Sequence, residues 1–245
     1  MKIAVIGADA TMSHILGLSF HFLLAQQLCG KTLTQNSYRD LSAHGDFIMV
    51  DNGAAEGELV LNETLIDIAE AVSADEVVLP DVLRDSSGTL SRSTASSILW
   101  AIPHTKRVIV PQGRNWSEWI ACLENLLSRC NPATIGVAKW LEELPGGRKK
   151  ALEIIYQRRY HHRCRIHLLG AARDFMTEMR ELNFPFVRSM DTALPLAHAQ
   201  VPEIMMTATQ RVSIDWQKPI EGRIAERNIQ DAIRISQEVI PCIFR

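Results

Sequence analysis

The chain lacks the features that would mark a secreted or membrane protein. Its five cysteines, Cys29, Cys122, Cys130, Cys164 and Cys242, form no Cys-x-x-Cys pair. Scattered thiols suit a reducing compartment and argue against a disulfide framework. No apolar run approaches the roughly 18 uncharged residues of a membrane helix. The first residues do not read as a secretory signal, because Asp9 and His14 interrupt the apolar stretch and no Ala-x-Ala site follows. A soluble, cytoplasmic protein without a membrane partner is expected. Glycine motifs for nucleotides are also missing. Gly7 is followed by Ala8-Asp9-Ala10-Thr11 without the further glycines of a dinucleotide fingerprint. Gly146-Gly147-Arg148-Lys149-Lys150 lacks the Gly-Lys-Ser/Thr of a phosphate-binding loop, which excludes triphosphate binding there.

What is present is an ordinary globular composition with uneven charge. Of 245 residues, 47% are apolar and 22% charged, enough for an ample core. The net charge of −2 hides two opposite blocks. Residues 51–85 are acidic, with Arg84 the one base, and residues 148–165 are basic, with Glu153 the one acid. The basic block, with Arg148, Lys149, Lys150, Arg158, Arg159 and Arg163, is a candidate contact for a nucleic-acid backbone. A solvated helix face is the bland alternative.

Six short apolar runs each stop at a glycine or a polar residue. They are 47–50 into Asp51, 77–80 into Asp81, 108–111 into Gln112-Gly113, 133–135 into Gly136, 166–169 into Gly170, and 186–190 into Asp191. Runs this short and rich in β-branched residues predict buried parallel strands, and the intervals leave room for a crossover helix each. Lys2 to Ile6 adds a first strand. That makes seven candidates and no clear eighth; 200–220, with Pro202 and Pro219, reads as a substrate loop or an irregular last strand. Leu16 to Leu28 has helical spacing and reads as the first crossover. Helices are also expected at 64–72, with Asn62 as a cap, and at 93–100, 117–127, 171–182 and 224–239, with a turn at 145–147. The expected fold is α/β: a single-domain (β/α)8 TIM-type barrel over 1–245. In such a barrel the carboxyl ends of all strands open onto one face, where active sites lie.

Asp51 and Asp191 then become the candidates for chemistry. Two carboxylates at one mouth are the minimum for displacement at a sugar carbon, one attacking the anomeric carbon and the other handling the leaving group's proton. The plain alternatives are an Asn-Gly turn stabilised by Asp51 and an ion pair for Asp191, for example with Arg188. Asp81 and Gln112 supply a carboxylate and an amide at neighbouring strand ends. Such groups suit the Watson–Crick edge of a purine: a carboxylate takes the N1–H and N2–H₂ donors of guanine, and an amide meets O6. Gly113 and Gly136 would let backbone approach a flat base, although ordinary turning explains a lone glycine. His161, His162, Cys164 and His167 have no structural-zinc spacing, so no metal is expected. Residues 156–165 interleave aromatics with bases, which suits phosphate contact and stacking better.

With these residues in order, the chain resembles the tRNA-guanine transglycosylase superfamily, most of all its compact phage-type members that put 7-deazaguanine bases into DNA. The resemblance rests on FIMVDNGAAEGE (47–58), EVVLPDVLRD (76–85), VPQG (110–113), IGVAKW (135–140), IHLLGA (166–171) and RSMDTALP (188–195). It implies that Asp191 is the nucleophile and Asp51 the general acid/base, with Asp81, Gln112 and Gly136 holding the base. It further implies exchange of guanine for a 7-deazaguanine such as preQ0, with DNA or tRNA as the polynucleotide and no cofactor consumed. A phage-encoded member would work in the cytoplasm of its bacterial host. The zinc-binding Cys-x-Cys-x-x-Cys and His of the tRNA enzymes are missing from the sequence. That leaves no zinc subdomain, takes away support for the zinc-linked dimer contact, and leaves a homodimer open. This absence, with the short chain, tilts the expectation toward DNA. The same exchange on tRNA, a non-catalytic nucleic-acid-binding barrel, and an N-glycosidic hydrolase with water as acceptor are the alternatives.

Overall fold

The strand that the sequence hides is Phe20-His21-Phe22-Leu23-Leu24. These residues form β2 (Phe20–Leu24), not the expected first crossover helix, and every one of them is buried. Their apolar spacing fits a helix and a doubly covered strand equally well, because a strand buried on both faces shows no alternation. The helical segment that follows is short, α1 (Ala25–Leu28), and α2 (Thr32–Ala43) supplies the real crossover. The computed structural model describes residues 1–6, 17–57, 60–99, 102, 104–171, 175–200 and 222–238. The glycine-poor segment after β1 and the expected substrate loop at 201–220 lie outside them.

Seven further strands complete a closed barrel in chain order. They are β1 (Lys2–Ile6), β3 (Phe47–Asp51), β4 (Glu76–Val78), β5 (Lys106–Ile109), β6 (Thr134–Ala138), β7 (Arg165–Leu169) and β8 (Val187–Thr192). The pairs β3–β4, β4–β5, β5–β6, β7–β8 and β8–β1 are all parallel. The fold is an α/β barrel of the (β/α)8 type, as the strand-to-helix rhythm predicts. Helices α3 (Asn62–Ala71), α4 (Ser86–Leu99), α5 (Trp116–Cys130), α6 (Gly147–Gln157), α7 (Phe175–Leu182), α8 (Leu194–Ala199) and α9 (Gly222–Glu238) follow their strands. None of the described helices is long and apolar enough to cross a membrane.

The chain divides into two compact units, one of residues 1–20 with 138–245 and one of residues 21–137. In the second unit, α5 shows how the sequence starts a helix. Asn115 caps it by accepting the Glu118 N–H at 3.0 Å, while Glu118 reaches back to the Arg114 N–H at 2.9 Å. Such a reciprocal cap contributes about 0.5–2 kcal/mol. Asn62 plays no such part: α3 begins after Leu61, with no side-chain cap. In α4 the start lies earlier than expected, since Asp85 accepts the N–H groups of Ser87 and Gly88 at 3.1 Å each.

Hydrogen bonds across intervening strands reveal which side chains face inward. The Thr134 hydroxyl on β6 donates to Glu76 on β4 at 2.8 Å, with β5 between them. Side chains converge only on the concave side of a curved sheet, so both point inside. Met49 is in register with Glu76, and Asp51 shares its face two residues on. Gly136 shares the face of Thr134. It lies in the middle of β6, not at its end as expected, and so leaves an inner position without a side chain.

Candidate active site

In the unit of residues 21–137, three polar side chains converge beyond β3, β4 and β5. Asp81 accepts from Asn52 Nδ2 at 2.9 Å on one oxygen and from Gln112 Nε2 at 2.6 Å on the other. All three residues are buried. The network is fixed from behind. Asn52 Nδ2 also donates to the Leu79 carbonyl, and Asn52 Oδ1 accepts the Ala54 N–H. Gln112 Oε1 accepts the Arg84 N–H at 2.9 Å. Burial pushes the Asp81 carboxyl up to about 6, and the bonds from Asn52 and Gln112 pull it back down. At neutral pH it is an ionised acceptor with lone pairs to spare, since a carboxylate offers about four acceptor positions.

Sequence reading anticipated Asp81 and Gln112 as partners in one site and missed Asn52. The Asn-Gly pair signalled a turn, and the turn is there: Asp51 Oδ2 accepts the Gly53 N–H at 3.1 Å. Asp51 ends β3 with its side chain on the inner face. Gly113 packs against α5. A Cβ there would lie 2.6 Å from the Trp119 backbone nitrogen, so its small size serves close packing against α5.

In the unit of residues 1–20 and 138–245, the centre is Asp191 on β8, only 2% exposed. His167 on β7 lies 2.9 Å from Asp191 Oδ1, and the Gly170 N–H donates to both carboxylate oxygens at 3.0 Å. Gly170 takes a φ of +67°, a conformation that other residues rarely adopt, and this aims its N–H at the carboxylate. The His167 ring meets the Phe20 ring edge-on, with centroids 6.0 Å apart. Phe20 is on β2, and β1 and β8 separate it from β7, so His167 points into the barrel and Asp191 with it. His167 was weighed as a metal ligand from sequence; its partners are Asp191 and Ser189 instead. Among the described residues no group of three or more His, Cys, Asp or Glu side chains is placed to hold a metal ion.

Arg148 requires a correction. Expected as a nucleic-acid contact, it is fully buried and cannot reach a phosphate. Its guanidinium donates to Glu142 at 3.0 Å, to Glu178, and to the Gly170 carbonyl at 2.7 Å. Arg148 thus holds one side of the peptide unit whose neighbour, the Gly170 N–H, holds Asp191. Desolvation lowers the Arg148 pKa, and Glu142 and Asp191 oppose that. A periodicity signal was available: Arg148 falls in line with the buried Ala151, Leu152 and Ile155 of α6.

The other basic residues are on the surface but at the wrong end for Asp191. Arg158, Arg159 and Arg163 are exposed in the link from α6 into the start of β7, while Asp191 lies near the finish of the parallel β8. Lys149 is exposed on α6 and Lys150 half-buried. Tyr156 and His161 stack with ring centroids 5.0 Å apart in the same link, so the aromatic–basic segment belongs to the amino-terminal end of the strands. Compared with known proteins, the chain matches no family model and no curated protein.

Proposed function

We propose that the protein is a transglycosylase that exchanges guanine in a polynucleotide, foremost DNA, for a 7-deazaguanine base. The observation that carries this reading is the state of Asp191. A buried carboxylate at a strand end, held by His167 and by a glycine N–H on both oxygens, is an oriented nucleophile more than a structural ion pair. Among the described residues Oδ2 has the fewer donors, and it is the oxygen that attacks C1′. As the new C–O bond forms, the N9–C1′ bond breaks and its electron pair passes to the guanine ring. Asp51 supplies the proton that lets guanine leave. The incoming 7-deazaguanine then gives its ring N–H proton to Asp51 and attacks C1′, displacing Asp191. Two inversions give retention, with no redox change and no nucleotide hydrolysed.

Asp81, Asn52 and Gln112 support the choice of base. Guanine and 7-deazaguanines share N1–H and N2–H₂ donors, and an ionised Asp81 accepts from both. Gln112 already gives one amide hydrogen to Asp81, so its remaining N–H is the group for O6. The test is release of labelled guanine from duplex DNA, single-stranded DNA and tRNA in the presence of preQ0. Exchange with an Asp191-linked, denaturation-stable adduct is expected on DNA. Release without base incorporation would make the protein a hydrolase, and release from tRNA alone would move the substrate to RNA. No release and no adduct would leave a binding protein.

A further inference from the structure

Base exchange in a duplex needs the target base outside the stack, and something must occupy the space it leaves. We infer that Leu83 is the wedge. The inference rests on the proposed base exchange and adds how the base is reached. Leu83 is a large apolar side chain 46% exposed, two residues beyond Asp81. Residues 82–85 form a turn, closed by the Asp85 N–H on the Val82 carbonyl at 3.0 Å. Arg84 takes its third position at a φ of +61°, a place where turns ordinarily use glycine or asparagine.

A conformation that strained persists because its surroundings fix it. The Arg84 N–H is bound by Gln112 Oε1, the same side chain that donates to Asp81. Thr89 Oγ1 accepts the Val82 N–H at 2.8 Å and donates to the Val82 carbonyl at 3.1 Å. Asp85 caps α4 through Ser87 and Gly88. The turn is therefore locked on both sides, and its lock is shared with the residues that read the base. An exposed leucine at the apex of a fixed turn is useful to a protein that opens a stack. Leucine is among the side chains that enter between base steps. Leu33 and Leu61 are exposed as well, but neither lies in the turn that Gln112 ties to Asp81.

The experiment compares Leu83→Ala with wild type on one target guanine, placed in a duplex and in a single strand. Leu33→Ala is the control for loss of an exposed leucine. Turnover on the duplex is expected to fall about tenfold or more, with single-strand turnover held within about twofold. A 2-aminopurine beside the target should brighten when wild type or Asp191→Asn binds the duplex, and stay dark with Leu83→Ala. Leu83→Met should restore both signals. Equal losses on the two substrates, or no loss on either, would overturn the wedge. Wild-type exchange confined to single strands would overturn it while leaving the base exchange standing. No wild-type exchange on any strand would remove both.

Discussion

His167 bridges Asp191 and Ser189, with Nε2 2.9 Å from the carboxylate and Nδ1 2.8 Å from the hydroxyl. Arg188 Nε donates to the same hydroxyl at 3.1 Å. A carboxylate only accepts, so the ring nitrogen that faces Asp191, Nε2, carries a proton and donates to it. Held at both ring nitrogens, His167 orients the carboxylate. Replacing it by phenylalanine strips a donor from Asp191 and a partner from Ser189. A hydrogen bond to a charged group contributes about 1.5–3 kcal/mol, so adduct formation in His167→Phe should slow about 10- to 100-fold. Single-turnover measurement with saturating DNA checks this. An unchanged rate with intact folding would remove His167 from the site.

Asp51 offers a cleaner separation of binding from chemistry. Its carboxylate accepts the Gly53 N–H, and an asparagine there keeps an oxygen for that bond. The Asp51→Asn variant should therefore fold and bind while losing proton transfer. General acid–base groups contribute about 10²–10⁴-fold, and exchange should fall by that much with DNA affinity near its original value. A guanine analogue with an activated leaving group should recover much of the first step. Turnover equal to wild type would take the acid/base role from Asp51.

Arg148 is predicted to act on stability and not on nucleic-acid affinity. Removing one partner of a buried, hydrogen-bonded charge pair costs about 3–5 kcal/mol, because Glu178 would stay buried without it. Arg148→Ala should lower the melting temperature by roughly 10 °C in a chain of this size. Lys149→Ala, at an exposed position on the same helix, should leave it unchanged. If Arg148→Ala melted like wild type and lost DNA binding, the buried assignment would be wrong.

The strand-to-helix rhythm of the barrel is written plainly in the chain, since runs such as 47–50 and 166–169 end in polar residues and alternate with amphipathic helices. What escaped was whatever lacked a periodic contrast. Phe20 to Leu24 is buried on both faces, so nothing in its text separates a strand from a helix. Gly136 read as a strand end because glycine punctuates chains, yet β6 runs on to Ala138. The pairing of Asp81 with Gln112 was legible from their matching positions after neighbouring strands. The partners of Asp191 were not: His167 is remote in sequence, and its histidine-rich surroundings suggested phosphate contact and stacking, not a bond to a carboxylate. Arg148 shows the opposite failing, where a basic run drew attention away from its place on the buried stripe of α6.

Asp81 should give the protein a distinctive response to pH. Its carboxyl is raised from 3.8 to about 6, chiefly by desolvation, so the folded state holds a proton that the unfolded chain has already lost. The burden on folding is absent below the unfolded value, grows as pH rises between the two, and is complete above about 6. The gap corresponds to about 3 kcal/mol. Asp81→Asn removes that dependence, so its stability relative to wild type should improve by up to this amount between pH 4 and pH 7, as denaturant titration would show. Base binding should run the other way. The neutral acid cannot accept from both N1–H and N2–H₂, so affinity for a 7-deazaguanine should weaken about tenfold for each pH unit below about 6. In Asp81→Asn the affinity should be low and flat across the same range. A wild-type affinity that is equally flat would mean that the base does not rest on Asp81.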